Sequence, residues 1–310
     1  MARCRLCRPG ERRKPAEIYL PAHRLPLCRE HFLYWFERHL ERTIRSFRMF
    51  TREERILVAV SGGKDSLVLW QALTSLGYPA DGVFIDLGIE ENTFSLLSQR
   101  AAEAMARRLG RPLHLLSLRK ELGFGIPELR RKTRKICSLC GAVKRQYLNR
   151  AAKRLGYEVL VTGHHLDDEA SSLLGNLLQW NLKYLAHKYP VLPAERGFVR
   201  KAKPLCRHSG KEIQLYAEIR KLPFLPEGCP LAEEARRPFY AQMMEELEEK
   251  TPGTKLRFYL DYLRKAYPLL AAHKEEFMDR ELLTCENCGE PAVSSPCLLC
   301  RLQEEFRARS

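Results

Sequence analysis

Residues 56–66 read Ile-Leu-Val-Ala-Val-Ser-Gly-Gly-Lys-Asp-Ser, and this stretch decides the fold. The apolar run Ile56–Val60 predicts a buried strand, and the apolar periodicity from Leu67 to Leu76 predicts a helix. The turn between them, Ser61–Ser66, is rich in glycine. Glycines let the backbone approach an anion, and the helix N-terminus adds partial positive charge. The stretch therefore predicts a phosphate-binding loop, although it lacks the Gly-x-x-x-x-Gly-Lys-Ser/Thr spacing of a Walker loop.

The chain beyond this loop alternates between strand and helix patterns. We expect strands at 82–87, 112–117 and 158–162, and helices at 93–109 and 140–155. This rhythm predicts an α/β fold with a doubly wound parallel sheet, whose chemistry lies at the carboxyl ends of its strands. The loop Ser61–Ser66, Asp86 and the segment Gly163–Glu169 all follow strand ends. We therefore expect these three features to lie together.

The N-terminus and the apolar runs indicate a soluble cytoplasmic protein with no membrane partner. The first residues, Met-Ala-Arg-Cys-Arg, precede no apolar stretch of the kind that a signal peptide needs. The apolar runs are also far shorter than the ~20 residues of a spanning helix. In such a protein the 11 cysteines favour metal or redox chemistry over disulfides.

Two sets of cysteines have the spacing of structural zinc sites. Cys285, Cys288, Cys297 and Cys300 form Cys-x-x-Cys-x₈-Cys-x-x-Cys, and the N-terminal set is Cys4, Cys7, Cys28 and His31. His23 is an alternative to His31. Four protein ligands complete a tetrahedral Zn²⁺ without an open position, so two structural Zn²⁺ ions are predicted.

These patterns divide the chain into four parts. They are an N-terminal zinc module and helix (1–49), a catalytic domain (50–231), a helical extension (232–284) and a C-terminal zinc module (285–310). Within the extension, helices are expected at 233–249 and 254–270.

The net charge of +15 is unevenly distributed. Residues 1–50 carry a net +7 and residues 119–154 a net +10, whereas residues 225–310 carry a net −4. Clustered positive charge favours a polyanion, most often a nucleic acid, over a uniformly solvated face. We expect 119–154 to be the surface that binds nucleic-acid phosphates, and to be mobile because few apolar residues anchor it.

At this point the residues resemble a known family. Ser61–Ser66 resembles the PP-loop of the ATP pyrophosphatases, which cleave ATP between the α and β phosphates. Four further stretches resemble the tRNA 2-thiouridine synthetases: Cys137-Ser-Leu-Cys140-Gly, Thr162–Ala170, Lys203-Pro-Leu with Lys211-Glu212, and Glu227-Gly-Cys229-Pro230. With a zinc module at each end, the chain resembles the branch of this family that thiolates 5-methyluridine in the T-loop. That branch is close to the wobble-uridine enzymes. His165 departs from the pattern, in which asparagine is common.

The resemblance implies an ATP-dependent tRNA sulfurtransferase that uses Mg²⁺ and releases AMP and pyrophosphate. It adenylates the C2 oxygen of a uridine and replaces that oxygen with sulfur. The implied ATP-binding residues are Ala59, Ser61, Gly62, Gly63, Lys64, Asp65, Ser66, Ile85, Asp86 and Gly163. The implied catalytic pair is Lys144 and Asp168. Asp168 has an alternative role as a helix cap, which we expect Asp167 and Glu169 to fill instead.

Cys137 and Cys140 leave three interpretations open. They are inert buried thiols, a redox pair that carries a persulfide, or two of three ligands of a [4Fe–4S] cluster. The resemblance favours the cluster, with Cys229 as the third ligand and Cys206 as its competitor. The fourth iron would then present sulfur to the adenylate.

The implied partners are tRNA and a ubiquitin-like sulfur carrier with a C-terminal thiocarboxylate. A homodimer is a further possibility. The alternatives are wobble-uridine thiolation, another PP-loop ligase of the amidotransferase or lysidine type, and a zinc-dependent RNA-binding protein without catalysis.

Overall fold

A computed structural model describes residues 2–7, 14–90, 93–133, 135–226, 228–231, 237–277 and 282–308. The strands are β1 (Ile18–Leu20), β2 (Leu25–Leu27), β3 (Ile56–Val60), β4 (Ala80–Asp86), β5 (Leu113–Ser117), β6 (Val159–Thr162), β7 (Val191–Leu192), β8 (Arg200–Ala202), β9 (Leu283–Thr284) and β10 (Pro291–Ala292). The helices of the first two thirds are α1 (Arg29–Ser46), α2 (Lys64–Ser75), α3 (Phe94–Leu109), α4 (Leu118–Leu122), α5 (Ile136–Arg154), α6 (Leu166–Leu178), α7 (Leu182–Ala186) and α8 (Gly210–Ile219). The last third holds α9 (Arg237–Lys250), α10 (Thr254–Asp261), a π-helical turn (Tyr262–Ala266), α11 (Tyr267–Ala272) and α12 (Leu298–Arg307).

Among the described residues, six strands form the central sheet in the order β5-β4-β3-β6-β8-β7. All are parallel except the edge strand β7, which runs antiparallel to β8. The chain builds outward from β3 to β5 and then returns to β6 on the other side of β3. The strand order thus reverses between β3 and β6, which is where open α/β sheets bind their ligands.

The two faces of the sheet are covered by different helices. Ile56, Val58 and Val60 belong to a buried cluster with α1, α2 and α8, whereas Leu57 belongs to a second cluster with α5 and α12. Successive strand residues alternate between faces, and both faces are apolar here because both are covered. The predicted doubly wound sheet is confirmed. The antiparallel edge strand was not predicted, since a two-residue strand carries no periodic signal.

Residues 119–154 are better anchored than expected. Leu122, Phe124, Ile126, Leu129 and Ile136 are all buried in the cluster on the α5 face. The expectation of a weakly anchored segment is therefore wrong for its described part, because the few apolar side chains present all point into the core. Arg134 lies outside the described residues.

The helical extension packs on α6, and one of its two expected helices is regular while the other contains a π-helical turn. Helix α9 begins at Arg237, and residues 232–236 lie outside the described part. The expected helix 254–270 is interrupted by the π-helical turn and by Pro268 in the first turn of α11. Proline removes one backbone donor, which favours such an interruption. Within the described ranges, no helix is long and apolar enough to cross a lipid bilayer.

Gly82→Ala is expected to destabilise the protein by about 1–3 kcal/mol, the usual cost of overpacking a core. An added Cβ at Gly82 would lie 2.6 Å from Cη2 of the buried Trp70 and 2.9 Å from Cδ1 of Leu113. The Trp70 ring cannot yield easily, because its indole N–H donates to the Ala80 carbonyl at 2.9 Å. Urea unfolding measures the change in free energy. The control is Gly228→Ala, where no atom lies within 4 Å of the added carbon; equal stabilities for the two variants would contradict the packing argument.

Candidate active site and metal centres

The loop Ser61–Ser66 joins β3 to α2 and is closed by its own hydrogen bonds. The Ser61 N–H donates to Ser66 Oγ at 3.1 Å, and the Ser66 hydroxyl donates to the Gly63 carbonyl at 3.0 Å. Gly62 has φ +79°, and an added Cβ there would overlap the Ser98 carbonyl of α3. Only glycine fits this position. The loop thus presents backbone and the N-terminus of α2, which suits an anion.

Lys64 and Asp65 lie at the start of α2, each about one third exposed. The Lys64 ammonium contacts Asp65 Oδ1 at 2.6 Å. This pair is accessible to a ligand in the loop, and the ammonium can exchange its carboxylate partner for a phosphate oxygen.

The carboxyl end of β6 meets this loop backbone to backbone. An added Cβ at Gly163 would lie 2.9 Å from both the Asp65 carbonyl carbon and the Ser66 nitrogen. His165 then caps α6, with its Nε2 3.9 Å from Asp65 Oδ1 and 3.6 Å from Asp168 Oδ2. The structure therefore brings Asp168 next to the loop, as expected. His165 was noted only as a departure from the family pattern, and its position between two carboxylates depends on the tertiary fold.

The three acidic residues after His165 have roles that differ from expectation. Asp168 itself completes the capping box of α6, since its Oδ2 accepts from the His165 N–H at 3.1 Å. Asp167 instead accepts from the Gly210 N–H at the start of α8, at 2.8 Å, and from Lys255 at 3.0 Å. The expectation that Asp167 and Glu169 cap α6 is wrong. Both side chains are taken by partners far away in the sequence.

Glu169 is buried in an ion-pair cluster beneath α6. Its oxygens lie 3.1 Å from Lys188 Nζ and 2.8 Å from Lys203 Nζ, and the residue is 2% exposed. Burial alone would raise the pKa of this carboxyl, but the ammonium groups of Lys203 and Lys188 outweigh it and lower the pKa to about 2. Glu169 is thus a fixed negative charge.

The remaining expected ATP residues line the strand ends. Asp86 shapes the turn after β4, because its Oδ1 accepts from the Gly88 N–H at 2.9 Å and its Oδ2 from the Ser117 hydroxyl at 3.3 Å. Ala59 and Ile85 are half-buried on the α5 face of the sheet. Asp86 therefore combines its expected position with a structural role that the sequence did not indicate.

Cys137 and Cys140 lie in the first turns of α5, close to the segment that carries Cys229. The exposed Cys137 thiol donates to the Leu231 carbonyl at 3.4 Å. Burial raises the pKa of the half-buried Cys140, and the nearby Cys229 and Cys137 thiols raise it further, whereas the Lys144 ammonium lowers it. Because Cys137 is exposed, the interpretation as two inert buried thiols is wrong.

The same segment is tied to the PP-loop. The Leu225 N–H donates to the Gly62 carbonyl at 3.0 Å, and the chain continues from there to Cys229. Glu227 lies outside the described residues. Both Cys140 and Cys229 pack against the buried cluster on the α5 face.

Cys206 lies elsewhere. It is fully buried in the cluster on the opposite face of the sheet, and burial raises the pKa of its thiol. A buried neutral thiol is neither a nucleophile nor an accessible ligand. The structure thus separates Cys206 from Cys137 and Cys140, which the sequence alone could not do.

Within the described ranges, two groups of side chains converge as metal ligands. They are Cys4, Cys7, Cys28 with His31, and Cys285, Cys288, Cys297 with Cys300, and the ligand atoms of each group all lie within 4.8 Å of one another. Tetrahedral Zn²⁺ separates two sulfurs by ~3.8 Å. The observed Cys285–Cys300 and Cys288–Cys297 separations are 3.9 Å and 3.7 Å. His23 contacts Glu212 at 3.3 Å instead, so His31 is the ligand of choice.

In each group, the pKa of one thiol is lowered, which favours its thiolate form. Burial raises the pKa of Cys4 and of Cys285, but backbone N–H groups directed at the sulfurs outweigh it and lower both pKa values to about 6. In the C-terminal group, the Cys297 N–H donates to Cys285 Sγ at 3.2 Å. Thiolates are the form that binds metal.

The C-terminal group is docked on α5 through charged contacts. Glu290 accepts from Asn149 at 2.9 Å and from Lys153 at 2.8 Å, and the Arg150 guanidinium lies beside the Cys288 and Cys300 sulfurs. Some of the basic side chains of 119–154 therefore stabilise the packing of the C-terminal group on α5.

Two more of these basic residues have acidic partners: Arg119 pairs with Glu90 and Glu128, and Arg154 pairs with Glu121 at 2.9 Å. Lys135, Lys144 and Arg145 are exposed at the cysteine-bearing end of α5. A net-charge count therefore overstates the positive charge that this segment presents to a polyanion, because the count ignores tertiary ion pairs.

Comparisons with known proteins agree on a family. The PP-loop domain model matches residues 35–229, and the model described as the N-terminal LIM domain of the 2-thiouridine synthetase TtuA matches residues 3–33. The chain is 41% identical over 308 residues to the tRNA-5-methyluridine(54) 2-sulfurtransferase of Thermus thermophilus, covering 99% of this chain and 92% of the relative. It is 38% identical to the protein of the same name from Thermotoga maritima, covering 96% of each.

One solved structure has the same fold over almost the whole chain. It is the U34-tRNA thiolase NcsA from Methanococcus maripaludis with its [4Fe–4S] cluster. The TM-score is 0.80 at 25% identity, covering 98% of this chain and 96% of that one.

Glu169→Gln is expected to cost about 3–5 kcal/mol, the usual loss on breaking a buried ion pair. The carboxyl pKa is lowered from 4.5 to about 2, so its contribution to stability is complete above about pH 4.5 and is lost as the pH falls towards 2. Urea unfolding at several pH values should show the gap between wild type and variant closing over that window. The control is Glu246→Gln at an exposed position of α9. A constant gap between pH 7 and pH 2 would contradict the assignment.

Proposed function

Because the chain belongs to the PP-loop family of tRNA 2-thiouridine synthetases, we propose that it adenylates the C2 oxygen of a tRNA uridine and exchanges that oxygen for sulfur. The chain is a tRNA sulfurtransferase, which excludes the RNA-binding alternative without catalysis. One observation carries the proposal: the PP-loop is joined directly to the Asp168 end of α6 and to the segment leading to Cys229.

A carbonyl oxygen is a poor leaving group, so it must first be activated. The C2 oxygen attacks the α-phosphate of ATP, the bond to the β-phosphate breaks, and pyrophosphate leaves. Lys64 and the N-terminus of α2 stabilise the negative charge that develops on pyrophosphate. The loop backbone and the N-terminus of α2 would hold the phosphate chain, with Ala59, Ile85 and Asp86 bordering the nucleoside.

Asp168 and Lys144 have different roles in this adenylation step. The Asp168 carboxylate, held by the His165 N–H, suits the oxygen preference of the Mg²⁺ that accompanies ATP. Lys144 lies one helical turn beyond Cys140 and places a positive charge where the phosphate becomes crowded with oxygens. After sulfur has displaced AMP, the thiocarbonyl replaces the original carbonyl.

Cys137, Cys140 and Cys229 would hold a [4Fe–4S] cluster. Three cysteine ligands leave one iron of the cubane without a protein ligand. The exposed Cys137 and half-buried Cys140 and Cys229 fit a cluster that borders an open site. When bound, the cluster supplies the iron at which the sulfur atom is held. The rival is a persulfide at the same cysteines, resolved as a disulfide.

We assign one structural Zn²⁺ to each terminal group of ligands, because the four ligand atoms of each group lie within 4.8 Å of one another. The four-part division of the chain, cytoplasmic location, a thiocarboxylate carrier protein as sulfur donor and a homodimer are also part of the proposal. The names of the 41% and 38% identical relatives favour 5-methyluridine of the T-loop as the target. The NcsA structure makes the wobble uridine the second candidate.

Cys229→Ala is expected to abolish thiolation and to remove iron from anaerobically purified protein, because the cluster loses one of three ligands. Cys206→Ala is the matched control and should retain both iron and activity, since Cys206 is buried on the other face of the sheet. Iron analysis and mass spectrometry of the tRNA nucleosides measure the two effects. Wild-type protein that thiolates tRNA without iron would favour the persulfide, and wild-type protein that forms no thionucleoside would overturn the proposed function.

Lys135→Ala is expected to weaken tRNA binding and to reduce the slope of log K against log[salt] by about one. Lys135 is exposed at the start of α5, beside the cysteines. The control is Lys265→Ala, which removes a lysine paired with Asp261 at 3.0 Å in the acidic extension. Filter binding between 50 and 200 mM salt tests both variants. Equal slopes for Lys135→Ala and the control would place the tRNA elsewhere.

A further inference from the structure

A cavity of about 380 Å³ runs along α6, from Asp168 at one end to Gln179 at the other. Its second wall is Tyr240 of α9. The Asp168 end lies beside the PP-loop, because His165 is within 4 Å of both Asp65 and Asp168. The Asp168 end of the cavity is therefore close to the loop in which the phosphates of ATP are expected. No step of the mechanism derived above uses it.

We propose that this cavity binds the pyrimidine ring of the target nucleotide after that ring has left the base stack of the tRNA. The inference rests on the proposed function, which requires the C2 oxygen to reach the α-phosphate. A stacked or paired base cannot do so, and enzymes that modify bases extrude them into a pocket.

The charges around the cavity favour a neutral ligand. Two carboxylates, Asp168 and Glu169, line it together with two ammonium groups, Lys188 and Lys203. Glu169 lies 3.1 Å and 2.8 Å from the two lysines, and with Asp168 the formal charges of these four side chains sum to zero. A lining with no net positive charge does not select a phosphate, and it suits an uncharged heterocycle. The cavity volume also suits a single nucleoside rather than a longer segment of RNA.

Tyr240 provides a fixed aromatic surface. Its ring lies against α6 at Gly175, where an added Cβ would approach two ring carbons to 2.9 Å and 3.0 Å. Gln179 donates to the Tyr240 hydroxyl at 3.4 Å. One edge of the ring thus packs against the helix, and its hydroxyl is hydrogen-bonded to the same helix end. Unpaired RNA bases characteristically stack on such aromatic side chains.

The α6 wall offers polar groups at regular intervals from Asp168. Ser172 and Asn176 follow it by one and two helical turns, and both line the cavity. The Asn176 Nδ2 donates to the Ser172 carbonyl at 2.7 Å, which fixes the amide. A hydroxyl and an amide can each donate and accept, which matches the acceptor–donor–acceptor edge of uracil. Asp168 then lies at the end where the C2 oxygen must be activated.

Photocrosslinking locates the base directly. A tRNA carrying 5-iodouridine at the target position, where iodine replaces the 5-methyl group, is bound to the full-length protein and irradiated. Crosslinked peptides are identified by mass spectrometry. We expect the crosslink on Tyr240 or on the 172–179 stretch of α6. Crosslinks found only outside these residues would overturn the inference.

Two cavity variants test the effect on the reaction. Tyr240→Ala and Asn176→Ala are expected to lower kcat/KM for thiolation at least about tenfold. The Kd for tRNA should change less than about threefold, since phosphate contacts dominate affinity. Tyr240→Phe should retain most activity, because it keeps the ring. The control is Phe239→Ala, an exposed neighbour that does not line the cavity.

The outcomes separate this inference from the proposed function. If the wild type thiolates tRNA and both cavity variants match it, the cavity assignment is wrong and the function stands. If the wild type forms no thionucleoside, the proposed function is wrong, and the crosslink still reports whether the base enters the cavity. Asn176 is half-exposed on α6, so Asn176→Ala is expected to fold normally. This variant therefore tests the cavity even if Tyr240→Ala does not fold.

Discussion

The site depends on one steric constraint: two glycines let three chain segments meet without side chains between them. At Gly62 a methyl group would overlap the Ser98 carbonyl, and at Gly163 it would lie 2.9 Å from the backbone of the PP-loop. The Gly62 carbonyl also accepts from Leu225. Backbone contact of this kind leaves the loop little room to move relative to α3 and β6. Asp168 and the cysteine segment take their positions from that contact.

The two faces of the sheet carry different sets of cysteines. One face holds the N-terminal helix α1, the inert Cys206 and much of the apolar core. The other face holds Cys140, Cys229 and the C-terminal metal group, which is tied to α5 through Glu290. The two cysteines that we propose as cluster ligands and the C-terminal group of metal ligands therefore lie on the same side of the sheet. Helix α5 carries the cysteines at its start and, further along, the residues that contact the C-terminal metal group. Packing of this group therefore stabilises the helix on which the thiols lie.

The sequence predicted the sheet and the loop because their signals are local. Buried strands are continuous apolar runs, and the glycines at 62 and 163 stand next to strand ends. The outer strands β7 and β8 were missed because each has only two or three residues. Roles set by distant partners were also missed: Asp167 at the start of α8, Glu169 between two lysines, and Arg119 between two glutamates. Cys206 and Cys229 lie on opposite faces of the sheet, and only Cys206 is fully buried.

The central claim, that the C2 oxygen is activated by adenylation in the PP-loop, can be tested by following that oxygen. A tRNA labelled with ¹⁸O at C2 of the target uridine is thiolated with unlabelled ATP, and the phosphate-containing products are analysed by mass spectrometry. Adenylation of the C2 oxygen predicts one ¹⁸O atom in AMP for each thionucleoside formed, with none in pyrophosphate. Label in inorganic phosphate or in water, with AMP unlabelled, would contradict it.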